Sequence, residues 1–233
     1  MADTRTHRGP HPADARLFGS AARPVLREAA SDLCWLLSRG YVNPSALKLV
    51  GDRHRLCARQ RTAVERASCS EAERAAREGR RISPSEMAGR AVWIDGYNVL
   101  TTIEAALGGG VILAARDGAY RDMASMHGSY RKVAETRPAL ALLGRVLAAL
   151  DAGECRWYLD RPVSNSGRLK KIIEETAAEE GWRWVVELVA DPDQLLADAD
   201  EVVVTADSVI LDACRRWFNL ARETVARHVP GAE

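Results

Sequence analysis

The chain has 233 residues, a formal net charge of +1, 47% hydrophobic and 28% charged residues, a balance that suits one or two folded domains and argues against a disordered polyelectrolyte. No apolar run approaches the roughly 20 residues that cross a bilayer, and Cys34, Cys57, Cys69, Cys155 and Cys214 include no Cys-x-x-Cys pair, so neither a zinc site nor a disulfide scaffold is expected. The start, Met-Ala-Asp-Thr-Arg-Thr-His, lacks the apolar core of a secretion signal, which makes a reducing cytoplasm the expected compartment.

The near-neutral total hides an asymmetry. Residues 1–90 hold 17 Lys/Arg against 10 Asp/Glu, and residues 91–233 hold 16 against 22. Such a split points to nucleic acid for the first part and cation binding for the second.

Residues 1–12 read as a disordered polar tail, with His7 and His11 not expected as metal ligands. Residues 13–85 read as a small, basic, all-helical domain. Val25, Leu26, Ala29, Leu33, Leu36 and Leu37 recur at helical spacing, with a break near Pro24 and a stop at Gly40. A second helix is expected over 45–68, with Leu49, Leu56 and Ala63 along one side and Arg55, Arg59 and Arg66 along another. Those arginines suit phosphate contacts; a solvated charged face and docking onto the acidic domain are the other readings. Glu71 to Arg81 suits a third helix, and Ser83-Pro84-Ser85 marks the boundary.

Residues 90–225 alternate strand and helix signals, the pattern of an α/β domain. Ala91 to Ile94 is a buried-strand run that stops on Asp95, Gly96 and Asn98, where ligands bind in α/β sheets. Val99 to Leu107 suits strand through Thr101, Thr102 and Ile103 and helix through Glu104 to Leu107. Val111 to Ala115 is a further strand candidate, followed by Asp117 before Gly118, either a site acid or a turn residue. Met123, Met126 and His127 suit local packing or surface. Pro138 opens a helix with Leu140, Leu143, Leu147 and Leu150 inward.

Cys155 to Asp160 is the next strand. Its acid precedes Ser164, Asn165 and Ser166, whose hydroxyls and amide suit a phosphate or a hydrated metal, with Ser166 alternatively an N-cap for a helix over 168–180. Trp182 to Leu188 reads as a strand with its tryptophans in packing. Asp193 falls where a helix begins, as an N-cap, a site acid or both, and Glu201 to Thr205 delivers Asp207 ahead of a helix over 208–218.

Ile94-Asp-Gly-Tyr-Asn-Val99, Leu159-Asp-Arg-Pro-Val-Ser-Asn-Ser-Gly167 and Val203-Val-Thr-Ala-Asp-Ser208 together resemble the PIN-like nucleases of the NYN and YacP-like type, over residues 91–220. The whole chain also resembles an uncharacterised prokaryotic group in which a small helical domain precedes the PIN-like one. The resemblance implies a PIN-like Rossmannoid three-layer α/β domain with a central, mostly parallel sheet. It implies Mg²⁺- or Mn²⁺-dependent hydrolysis of RNA that leaves a 3′-hydroxyl and a 5′-phosphate. Asp95, Asp160 and Asp207 would be catalytic, metal-binding carboxylates, with Asp193 a fourth ligand and Asp117 a further one. An acid between the first and central strands is also implied, and Glu104, Asp117 and Asp122 all stand open for that post. Asn98 would orient Asp95 or touch substrate. Arg116, Arg161 and Arg168 lie near the proposed site in sequence and suit substrate phosphates, with plain surface arginines as the other reading.

The rival readings are a catalytically silent RNA-binding adaptor and a haloacid-dehalogenase-type phosphatase. The phosphatase needs a second acid two residues after its nucleophile, where this chain has Tyr97. No Gly-x-Gly-x-x-Gly turn, phosphate-binding loop or nucleophile elbow occurs.

Overall fold

The computed structural model describes residues 7–124 and 130–232. Met126 and His127 lie outside the described residues, as do residues 1–6 of the expected tail. Residues 7–12 are not loose. The guanidinium of Arg8 reaches the buried Glu104 at 2.9 Å, and His7 Nδ1 lies 2.7 Å from Glu135 Oε1.

Five helices follow: α1 (Asp14–Leu17), α2 (Arg23–Leu37), α3 (Asn43–Arg53), α4 (Ala58–Ala67) and α5 (Glu71–Arg80). Pro24 and Pro44 open α2 and α3, where the missing N–H costs nothing. The single helix expected over 45–68 is two. Arg55 sits at φ 52°, and the chain folds back so that Val50, Leu56 and Val64 all reach the core built on Ala29, Leu33 and Leu36 of α2. A straight helix could not bring both ends of that apolar set onto one partner. Arg61 packs across Gly51, where a Cβ would meet its guanidinium at 2.3 Å.

A short turn, Pro84–Glu86, leads into β1 (Val92–Asp95) and α6 (Gly96–Leu107). Residues 99–107 are therefore helix. Thr101 and Thr102 fit there because their hydroxyls bond the Tyr97 and Asn98 carbonyls at 2.8 and 2.9 Å. The antiparallel hairpin β2 (Ile112–Ala114) and β3 (Tyr120–Asp122) stands apart from the main sheet. The remaining elements are α7 (Thr136–Ala149), β4 (Cys155–Asp160), α8 (Ser166–Glu180), β5 (Trp184–Val189), α9 (Pro192–Ala197), β6 (Val202–Val204), α10 (Ser208–Ala213) and α11 (Leu220–His228).

The main sheet is parallel, in the order β5-β4-β1-β6. Side-chain alternation gives it two buried faces. Val92, Ile94, Trp157, Leu159, Val202 and Val204 join the core under α6, α7, α8 and α11, whereas Tyr158 and Val203 join Leu196, Ile210, Leu211 and Trp217 on the other face. The domain thus has three layers, helix, sheet and helix. The helix expected over 208–218 stops at Ala213 because residues 216–218 extend along β6, with Phe218 N donating to Val203 O at 2.9 Å.

Candidate functional site

In chain order the sheet strands run outward from β1 to β4 and β5, then return to the other side of β1 with β6. The order reverses between β1 and β6, and in open α/β sheets a crevice forms at the carboxyl ends of such a pair. Asp95 and Asp207 flank that crevice.

Local chemistry ties the two strand ends together. Asp95 Oδ2 accepts from the Thr205 hydroxyl at 2.7 Å, and Asp95 Oδ1 accepts from Asn98 N at 3.4 Å. Asn98 Oδ1 accepts from Ala206 N at 2.8 Å, and Asp207 N donates back to Thr205 Oγ1 at 3.0 Å. Asp207 Oδ1 also caps α10 through Val209 N at 2.8 Å. Asn98 is thus a brace between the strands. Gly96 lets α6 leave β1 tightly, since a Cβ there would stand 2.9 Å from Tyr158 O and 2.5 Å from Leu159 Cδ2.

Asp95 is 8% exposed, and its carboxyl is pushed up to about 7, first by burial. The Thr205 hydroxyl and Asn98 N–H act against this, while the charges of Asp207 and Asp193 add to it. Asp193, on the first turn of α9, is raised by burial and by Asp207, Asp160 and Asp191. The N-cap of α9 is Asp191, which accepts from Gln194 N; Asp193, a candidate for that role, does not fill it. Asp160 is raised by burial and by Asp191. These acids share one electrostatic environment.

Asp95, Asp193 and Asp207 line one cleft of about 580 Å³. Its opposite wall belongs to the helical unit, through Leu37, Asn43, Glu65, Arg66 and Arg77. Asp122 lines it too, raised by burial and held by the Thr102 hydroxyl at 2.9 Å. Of the three acids open for the intermediate post, Asp122 is the one on the cleft. Glu104 is fully buried away from it, bonded to Tyr130, Thr136 and Arg8. Asp117 is taken by Arg77 at 2.6 Å and Arg121 at 2.7 Å, and caps its own turn through Ala119 N. Asp160 stands at the end of β4, sensed by Asp193 but outside the cleft lining.

The other expected contacts are dispersed. Ser166 is not an N-cap; it begins α8, and its hydroxyl donates to Arg161 O. Ser164 is exposed, and its carbonyl accepts from Tyr130 N. Arg116 pairs with Glu71 at 3.0 Å, Arg161 donates to Leu188 O, and Arg168 is exposed on α8. In the helical unit Arg55 is exposed, but Arg59 grips Asp14 at 2.6 Å and Arg66 donates to Asp122 O at 2.7 Å. Arg66 therefore joins the two parts of the chain instead of forming a free phosphate-binding stripe.

Tyr97, Arg77 and Arg121 also line the cleft, and Thr205 holds Asp95 beside it, all beyond the residues expected there. Thr205, directly between a strand and Ala206-Asp207, had a local signal in its hydroxyl; Arg77 and Arg121 had none, because their partners lie far along the chain.

Among the described residues, no three His, Cys, Asp or Glu side chains are gathered closely enough to hold one metal ion. In kind, the carboxylate oxygens of the cleft suit a hard divalent cation, while the thiol on its lining, Cys69, is pushed up to about 12, first by burial.

The class defined by these features is a three-layer α/β domain with an acidic crevice at its strand-order reversal, closed on one side by a helical unit. The chain belongs to the family described as "Domain of unknown function (DUF5616)", which matches residues 84–223. Residues 25–80 match a second family, "Protein of unknown function (DUF434)", so the two matches leave only residues 81–83 between them. The chain is similar to "Uncharacterized protein MJ0935" of Methanocaldococcus jannaschii, with 31% identity over 150 residues, 64% of this chain and 72% of that protein. No solved structure matches the chain.

Proposed function

We propose that the crevice is the active site of a metal-dependent ribonuclease with a PIN-like Rossmannoid domain. The observation that carries this reading is the joining of Asp95, Asp193 and Asp207, from three separated segments, on one cleft where mutual repulsion helps keep Asp95 protonated. In this reading the three carboxylates offer hard oxygens to Mg²⁺ or Mn²⁺, with Asp122 beside them. When bound, the ion supplies a more acidic water and takes up charge on a phosphate oxygen. Thr205 and Asn98 hold Asp95 and the approach to Asp207 in fixed relation.

One observation favours a second reading, an RNA-binding adaptor without catalysis. The acids share a cleft without forming a ready ligand cage. The experiment incubates the protein with mixed structured and single-stranded RNAs and Mn²⁺, beside an Asp95→Asn, Asp207→Asn double variant and a chelated control. Cleavage by the unaltered protein alone supports the nuclease. Intact RNA in every sample, with binding that ignores chelator and substitutions, supports the adaptor.

A further inference from the structure

The wall facing the carboxylates carries chemistry of its own. The turn from α2 to α3 is flanked by Leu37 and Asn43, and both line the cleft. Between them Tyr41 is 54% exposed, with Val42 beside it at 70%. The turn is held in shape: Gly40 adopts φ +80°, and Tyr41 N donates to Leu36 O at 3.2 Å. Tyr41 is thus held exposed on the turn between two residues of the cleft lining.

Two residues of the cleft lining each carry a polar atom without a hydrogen-bond partner among the described residues. Asn43 donates Nδ2 to Glu65 Oε1 at 3.0 Å, which orients the amide and leaves its buried Oδ1 unpaired. On the other wall, the Tyr97 hydroxyl is likewise buried and unpaired, on a side chain only 4% exposed. Buried polar groups without partners are costly, so two on the lining residues of one cleft call for a ligand. The amide oxygen requires a donor, and the phenol hydroxyl has a proton to give. A nucleotide supplies both, through an exocyclic amino group on the base and oxygens on the sugar and phosphate.

We propose that the α2–α3 turn is a nucleobase site, in which Tyr41 stacks on an unpaired base and Asn43, with Glu65, accepts from its amino group. The site rests on the reading of the cleft as one that takes nucleic acid, and it favours adenine over uracil, which has no amino group. A duplex, whose bases are already stacked and paired, offers no face to Tyr41.

The test is fluorescence anisotropy with labelled single-stranded nine-mers of adenylate and of uridylate, in Mg²⁺, using the full chain with Asp207→Asn so that the probe survives. The adenylate strand is expected to bind about tenfold tighter than the uridylate strand. Tyr41→Ala should weaken adenylate binding about tenfold with an unchanged melting curve, Tyr41→Phe should retain it, and Asn43→Ala should abolish the difference between the strands. Equal affinity for the two strands, indifference to Tyr41→Ala, or no binding of either strand overturns the proposal. Cleavage is scored separately with Asp207 restored. Cleavage without dependence on Tyr41 removes the base site and leaves the nuclease; binding that needs Tyr41 and Asn43 without cleavage removes the nuclease and leaves the site.

Discussion

Asp95 combines one strong donor, one weak donor and two acidic neighbours in a buried position, so its neutral form is favoured far above the usual carboxylate range. Its folded value of about 7 lies above the ordinary value near 3.8. The folded protein therefore keeps a proton that the unfolded chain has released across that interval. The stability this group contributes is full below about pH 4 and is lost as pH rises through about 7. Asp95→Asn keeps an oxygen for Thr205 and removes the charge. The expected outcome is a higher melting temperature at about pH 8, by roughly 2–4 °C per kcal/mol relieved, and no comparable gain at about pH 4. Calorimetry across that range checks it, and a fall in melting temperature at the alkaline end would contradict the assignment.

At the scale of elements, close approaches decide which residues are tolerated. Gly144 on α7 faces the indole of Trp182, and a Cβ there would lie 2.0 Å from the ring. Trp182 also packs against Trp184 with ring centroids 4.8 Å apart, and Trp184 against the buried Trp157 at 4.9 Å. Gly144→Ala should therefore displace a chain of three indoles and cost about 1–3 kcal/mol, read as a lower urea midpoint. The reverse substitution pair, Gly144→Ala with Trp182→Leu, should recover part of that loss. These tryptophans are packing residues, as their alternation suggested, although Trp182 itself precedes the strand.

Across the whole molecule, a buried ion cluster fastens the helical unit to the α/β domain. Arg77 of α5 is 2% exposed and reaches Asp117 at 2.6 Å and Asp212 at 2.7 Å, while Arg121 bonds both Asp117 and the Ala206 carbonyl. Arg77, Arg121 and Asp212 of this cluster also line the cleft, so the contacts that fasten the two parts shape its wall as well. Arg77→Met should leave Asp117 with an incomplete partner set and cost on the order of 3 kcal/mol. Hydrogen exchange should then be faster along α5. An unchanged urea midpoint together with unchanged α5 protection would show that the cluster does not hold the parts together.

Residue order alone determined the local facts. The runs ending in Asp95, Asp160 and Asp207 announced three strand ends, and the Leu140 to Leu150 spacing announced a helix, because these signals are short-range patterns of burial. The alternating strands and helices of the second part likewise announced its α/β class, with an all-helical stretch ahead of it. Tertiary structure alone decided that Asp117 pairs with Arg77 and Arg121, that Asp122 faces the cleft, and that Arg59 and Arg66 are spent on internal contacts. It also split the helix over 45–68 and turned residues 99–107 into helix. The reason is the same in each case: a charged side chain is settled by the partner it meets in space, and an ambiguous segment by the surface it must bury against. Neither is written within a few residues of the position it governs.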